Sequence, residues 1–266
     1  MLQAPRLPQL LTISGHDPGG GAGIQADIEA AAANGAHACS VVSCLTDQDS
    51  CDVYQLLPQP PGQVLAQARR MLSDSPIAAI KIGLLGDANL ARGLAELLSE
   101  WPEMPVVLDP VLASGAGTAL ADRALEQALR GLLPRVDLVT PNSLEARRLA
   151  ADDDLDSCAE RLLGLGAGAA LITGTHEDEA QVVNRLYRPG AAPERWGYRR
   201  LPASYHGSGC TLASAIAARL AASEPLREAV HAGLDYTWRS LAAGWPSGRC
   251  QPIPDRLFAL QRGGQP

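Results

Sequence analysis

Short apolar runs alternating with amphipathic stretches organise this 266-residue chain. Leu10-Leu11-Thr12-Ile13-Ser14 reads as a buried strand, and a turn-rich loop from His16 to Gly21 leads into an alanine-rich helix over Ala22 to Ala33, ended by Asn34-Gly35. The strand pattern recurs at Ser40 to Leu45, Ala78 to Leu85, Val106 to Leu112, Asp137 to Thr140 and Ala169 to Thr173. Between these runs, Leu90 to Leu98, Leu120 to Leu133 and Leu155 to Leu165 carry apolar residues at the spacing of a helix with one buried face. Strands alternating with helices predict right-handed crossovers and an α/β fold whose mostly parallel central sheet is covered on both faces. From Gln181 to Arg200 the pattern changes to Val-Val-Asn-Arg-Leu-Tyr, Pro189-Gly190 and Trp196-Gly197-Tyr198, which predicts antiparallel edge strands before the chain returns to helix. No internal repeat, low-complexity tract or linker divides it, so a single domain over 1–266 is expected.

A hydrophobic share of 46% and a charged share of 19% are those of an ordinary globular protein and exclude disorder. The net charge of -7 argues against a nucleic-acid surface, which needs clustered Lys and Arg. Lys81 is the sole lysine and falls in an expected strand, so phosphate handling must rest on arginine, backbone amides, helix N-termini or a metal. The six cysteines, Cys39, Cys44, Cys51, Cys158, Cys210 and Cys250, form no C-x-x-C pair, and reduced thiols in a cytoplasmic protein are expected. Met1 to Leu11 lacks the pattern of a signal peptide and no apolar run approaches a membrane span, so neither targeting nor a membrane partner is expected.

Two glycine clusters each precede a helix, where free N–H groups and the positive dipole end can hold an anion. Gly21-Ala22-Gly23-Ile24-Gln25-Ala26 matches the dinucleotide fingerprint G-x-G-x-x-A, with Asp47 further on, which makes a dinucleotide-binding oxidoreductase the rival function. That fingerprint needs the strand to run straight into its first glycine, whereas Gly15 to Gly20 intervenes here. No Gly-Lys pair occurs, so a Walker loop is excluded. The second cluster, Gly207-Ser208-Gly209-Cys210, opens a helix whose apolar face carries Leu212, Ala215, Ile216 and Leu220. Its consecutive amides can stabilise charge on a transferring phosphoryl group. A helix N-terminus lowers thiol pKa values, so Cys210 could be a thiolate at neutral pH and take a proton from a substrate hydroxyl. The same residues also fit a glycine-bent helix start with a small apolar cysteine.

The chain resembles the hydroxymethylpyrimidine and phosphomethylpyrimidine kinases of thiamine biosynthesis, within the ribokinase-like superfamily that also contains pyridoxal kinases. The resemblance rests on Thr12 to Pro18 with Gly20 to Asp27, Lys81-Ile82-Gly83, Val107 to Val111, Thr140-Pro141-Asn142 with Glu145, and His206 to Thr211. It implies a ribokinase-like three-layer α/β/α sandwich, with ATP at the carboxyl ends of the strands and a pyrimidine pocket lined by Gly15, Ala22, Asp27 and Gln48. Gln48 offers an amide donor and acceptor to an aminopyrimidine edge. Thr140, Asn142, Thr173, Gly174 and Thr211 are implied as nucleotide-binding residues. Asp109, Asn142 and Glu145 would hold Mg2+ through water, although Asn142 could equally cap a helix that carries Glu145 in its first turn. Gly207, Ser208 and Gly209 fall on the anion hole and Cys210 on the base, and a homodimer is implied.

Several positions depart from that pattern. Thr173 stands where the family usually has a lysine, Leu84 replaces a common methionine, Asp47 and Asp49 flank Gln48, and the loop Ala113 to Gly117 is short. Pyridoxal remains an alternative substrate, and a catalytically silent pyrimidine-binding protein a further reading. His37, His176 and His231 lack metal-ligand spacing, whereas His16 sits in the first glycine loop and could face the substrate.

Overall fold

Neighbouring residues on a strand point to opposite faces of its sheet, so an unbroken apolar run signals burial on both. The computed structural model, which describes residues 7–260, realises this over nine strands. They are β1 (Gln9–His16), β2 (His37–Gln48), β3 (Val53–Pro58), β4 (Ile77–Ile82), β5 (Val106–Leu108), β6 (Leu138–Val139), β7 (Ala170–Ile172), β8 (Gln181–Tyr187) and β9 (Glu194–Arg199). Their order is β3-β2-β1-β4-β5-β6-β7-β8-β9. The pairs from β2 to β7 are parallel, whereas β3 at one edge and β8 and β9 at the other run antiparallel.

Leu11, Ile80, Leu108 and Val139 pack with α2 (Pro61–Asp74), α3 (Ala88–Leu98) and α4 (Arg123–Leu132). Their immediate neighbours Leu10, Ala79, Val107 and Leu138 pack on the other face with α1 (Gly23–Ala33), α7 (Ser208–Ala221) and α8 (Leu226–Ala242). The three layers follow from that alternation. A smaller cluster under β7 and β8 holds α5 (Ser143–Ala150) and α6 (Leu155–Gly164).

Strand β5 stops at Leu108 rather than Leu112, because Asp109-Pro110 turns out of the sheet and Pro110 has no amide to donate. Helix α4 begins at Arg123 rather than Leu120, since Asp122 caps it by accepting from the Leu125 amide. Strand β3 and helix α2 were not expected; α2 buries only Val64, Ala68 and Leu72, a stripe too narrow to stand out. The expectation for Met1 to Leu11 falls partly outside the described residues, and among those residues no helix is long and apolar enough to cross a membrane.

Reduced thiols are not what the fold produces throughout. Cys51 and Cys250, 199 residues apart, form a disulfide with Cα atoms 4.9 Å apart. The β2–β3 turn and the segment after α8 are brought together by the topology, which no local cysteine spacing encodes. Cys39, Cys44, Cys158 and Cys210 are free.

Candidate active site

Chain order departs from β1 to β2 on one side and to β4 on the other, which opens a crevice at the carboxyl ends of the strands. A cavity of about 710 Å³ occupies that place. Its wall takes His16 at the end of β1, Leu84 after β4, Asp109 after β5, Thr140 after β6 and Thr173 after β7, and the first turn of α7 closes it.

On one side lies the first glycine loop. The Asp17 carboxylate accepts from the amides of Gly19 and Ala22, both at 2.8 Å, and lies 3.0 Å from His206 Nε2. Burial would raise the Asp17 pKa, but the hydrogen bonds from His206 and Gln48 outweigh it and hold the group at about 2. Gln48 Nε2 lies 3.4 Å from the same His206 nitrogen. Gly23 begins α1 at φ +60, and a side chain there would strike the Gly15 carbonyl. These glycines thus serve close packing between loop and strand, and no straight run from β1 into a dinucleotide fingerprint exists.

Opposite stands the N-terminus of α7. Gly207 is its N-cap at φ +79, with no side-chain cap, and a side chain there would strike the Gly21 carbonyl. Thr211 makes the first helical bond to the Gly207 carbonyl, so the amides of Ser208, Gly209 and Cys210 have no acceptor within the helix. All three residues line the cavity. Burial at the site runs against the expectation of a Cys210 thiolate at neutral pH. Burial pushes the thiol up to about 12; Lys81 and the Gly23 amide oppose the rise, while the Asp109 and Asp27 charges add to it.

Beyond α7 the wall is acidic. Asp109 is buried, its Oδ2 lacks a hydrogen-bond partner, and burial pushes its pKa up to about 6 against the pull of Lys81. Glu145 Oε2 accepts from the Asn142 amide at 3.0 Å and Asn142 Oδ1 accepts from the Glu145 amide at 2.9 Å, a capping box that starts α5. Burial, then the neighbouring Asp109 charge, pushes Glu145 up to about 8. Among the described residues no group of three or more His, Cys, Asp or Glu side chains is arranged to hold a metal. An all-protein metal cage is therefore lacking there, while a single unpartnered carboxylate oxygen suits an ion that keeps most of its waters.

Amide cradle, buried carboxylate and amide-bearing Gln48 share one cavity. A family model described as phosphomethylpyrimidine kinase matches residues 17–253. The chain belongs to the phosphomethylpyrimidine kinase family. It is 39% identical over 249 residues to the hydroxymethylpyrimidine/phosphomethylpyrimidine kinase of Streptomyces coelicolor, covering 91% of each chain. It is 38% identical over 259 residues to a thiamine biosynthesis bifunctional protein of Geobacter sulfurreducens, but spans only 53% of that protein's length while 95% of this chain is covered. Among solved structures, an ADP complex of Bacillus subtilis pyridoxal kinase superposes with a TM-score of 0.88 at 27% identity, over 96% of this chain and 99% of that one. Phosphomethylpyrimidine kinase from Clostridium difficile gives 0.76 at 29% identity, over 86% and 97%.

Within this kinase-family fold, Gly15, Ala22, Gln48, Asp109, Thr140, Asn142, Glu145, Thr173 and Gly207 to Cys210 all border the cavity. Three expected residues do not. Asp27 lies beneath the wall, fully buried, where its carboxylate accepts from Thr12, from Lys81 Nζ at 2.8 Å and from Ser214 Oγ at 2.7 Å. Thr211 is also fully buried, its hydroxyl donating to the Gly207 carbonyl at 2.8 Å. Gly174 packs against the Val183 carbonyl of β8. Sequence reasoning assigned no role to Asp17, to Arg256 or, beyond its strand position, to Lys81. Asp17 and Lys81 fall inside resemblance motifs, but the partners that define their roles, His206 and Asp27, lie 189 and 54 residues away, and Arg256, in no motif, meets Thr211 45 residues away.

Proposed function

We propose that this chain transfers the γ-phosphoryl group of ATP to the hydroxymethyl oxygen of 4-amino-5-hydroxymethyl-2-methylpyrimidine, and then phosphorylates the monophosphate, in thiamine biosynthesis. The observation that carries this reading is the uncapped N-terminus of α7, whose amides face the same cavity as Gln48 and Asp109. Phosphoryl transfer passes through a loose transition state whose charge sits on the equatorial oxygens, so aligned N–H donors meet its main demand. The amides of Ser208 to Cys210 bind that charge, while Gln48 orients the ring. Asp17 fixes the loop that faces the cradle. Because its thiol is protonated at rest, Cys210 takes the substrate's proton only by passing its own to the Asp109 carboxylate to which it is hydrogen-bonded, late, after the forming P–O bond has acidified the hydroxyl.

Mg2+ fits the acidic wall on the unpartnered Asp109 Oδ2, with Asn142 and Glu145 reached through water. Bound there it would neutralise nucleotide phosphate charge, a need sharpened by Thr173 standing in place of a lysine. We further infer a single domain over 1–266, a cytoplasmic location, and a homodimer, for which exposed Leu45, Tyr54 and Leu57 on the β2–β3 edge offer an apolar surface.

The deciding experiment measures ADP release from Mg-ATP with the aminopyrimidine, its monophosphate and pyridoxal. Turnover of both pyrimidines is expected, and turnover of neither overturns the reading. The likeness to pyridoxal kinase favours a second reading, in which pyridoxal is the better substrate; a higher kcat/KM for pyridoxal selects it. Pyrimidine binding without ADP release identifies a silent binding protein.

A further inference from the structure

Arg256 sits in the segment after α8, outside every motif that carries the family resemblance, and is 2% exposed. Its guanidinium makes four hydrogen bonds, three of them to two separate parts of the site and the fourth to Glu29 of α1. Nε donates to Thr211 Oγ1 at 2.9 Å, and that hydroxyl donates in turn to the Gly207 carbonyl at 2.8 Å. Nη1 donates to the Gly20 carbonyl at 3.3 Å and to Glu29 Oε2 at 3.0 Å, and Nη2 donates to the Gly21 carbonyl. The backbone of Arg256 is itself held, since Tyr236 Oη donates to its carbonyl at 2.9 Å.

A buried cation is costly unless its donors are met, and here the single balancing carboxylate, Glu29, is 44% exposed. An apolar residue would fill the space more cheaply. What the guanidinium supplies instead is geometry: its planar fork reaches several acceptors at fixed angles, which no ammonium can do. Besides Glu29, the acceptors are the carbonyls of the first glycine loop and the Thr211 hydroxyl in the first turn of α7, the two walls between which substrate and phosphate must meet. Nothing else among the hydrogen bonds of the described residues joins Gly20, Gly21 and Thr211 through one side chain.

We propose that Arg256 is a positioning residue for phosphoryl transfer, fixing the separation between the Gly20–Gly21 loop and the Gly207–Cys210 amide cradle. The proposal rests on the kinase reading above and assigns Arg256 no contact with substrate. A misplacement of about 1 Å can cost on the order of a hundredfold in rate, so loosening this link must appear in kcat.

The test compares wild type with Arg256→Lys and Arg256→Ala, well below the melting temperature of each. Wild-type turnover is measured first, so failure of the kinase reading appears there, before any variant. Both variants are expected to lose kcat by about tenfold or more with smaller changes in KM, because the cradle acts on the transition state. Millimolar methylguanidinium is expected to restore part of the alanine variant's kcat, and methylammonium to restore none. Melting temperatures and binding of a non-hydrolysable ATP analogue report the fold separately. Variants that melt earlier but keep kcat within about twofold of wild type overturn the proposal, since a purely structural role moves only stability. If neither arginine variant folds, Thr211→Val decides by cutting the helix end of the same link: a kcat loss of about tenfold supports the proposal and an unchanged kcat overturns it.

Discussion

His206 Nε2 lies 3.0 Å from Asp17 Oδ2, joining the first glycine loop to the residue before the α7 N-cap across 189 positions of sequence. The pair holds Asp17 at about 2, below its ordinary 3.8. A depressed carboxylate adds stability that is present above the unfolded value and is lost as pH falls through the folded one. The shift corresponds to about 2 kcal/mol. Asp17→Asn is therefore expected to lower stability by about that much at pH 7 and to flatten the loss between pH 4 and about 2. Denaturant unfolding at a series of pH values checks it, and a variant with wild-type acid sensitivity contradicts it.

How much of this was legible in the sequence depends on the range of the interaction. Leu10-Leu11, Val107-Leu108 and Leu138-Val139 announced strands buried on both faces, because burial follows from adjacent residues alone. Gly207 to Cys210 was legible because a helix N-terminus is a local feature. Asp27 was expected in the pyrimidine pocket from the resemblance; its place beneath the wall depends on Lys81 and Ser214, which only the fold sets against it. At Cys210 the dipole is visible in sequence, while the burial and the Asp109 and Asp27 charges that oppose a thiolate there are not.

Gly207→Ala tests the cradle itself. The residue sits at φ +79 with its Cα against the Gly21 carbonyl, so an added methyl must push the loop and helix apart. A loss in kcat of about a hundredfold or more is expected, the scale of removing an oxyanion donor. Retention of wild-type kcat, with the fold intact by circular dichroism, would remove the amides from the mechanism.

Asp109→Asn is expected to gain stability and lose activity. Burial raises Asp109 to about 6, so its favourable contribution is complete below its ordinary 3.8 and is lost as pH rises through about 6. At pH 8 the unliganded protein carries this buried charge only partly offset by Lys81 and with Oδ2 unpartnered, and the asparagine variant should melt a few degrees higher. Scanning calorimetry at pH 5 and pH 8 should show a larger gain at the higher value. Turnover should fall in the same variant.

Reduction of the Cys51–Cys250 disulfide is expected to loosen the mouth of the cavity. Asp52, next to Cys51, accepts from Ser114 Oγ at 2.7 Å, and Gln251, next to Cys250, donates to the Gly115 carbonyl at 3.3 Å. Both contacts hold the short loop that borders the cavity. Cys250→Ser should cost about 2–4 kcal/mol of stability, the usual worth of a cross-link over a long loop. Added dithiol should lower the melting temperature of wild type and leave that variant unmoved, and an equal response of both would show that the bond contributes nothing.

Cys210 as proton acceptor is the assignment most exposed to experiment. With its thiol at about 12, well under 1% is thiolate at pH 7.5, so iodoacetamide should label it far more slowly than a free cysteine. Rapid labelling there would restore the thiolate expected from the helix dipole alone. Cys210→Ala should lower kcat by about tenfold, below the roughly 10²–10⁴ usual for a positioned general base because the proton leaves late, and by less than Gly207→Ala. That order follows from the chemistry: in a loose transition state the equatorial oxygens carry charge throughout, whereas the hydroxyl proton leaves only as the new bond closes. If the alanine variant proved the more damaged of the two, proton transfer would have to be early, and the amides of Ser208 and Gly209 would be secondary to the thiol.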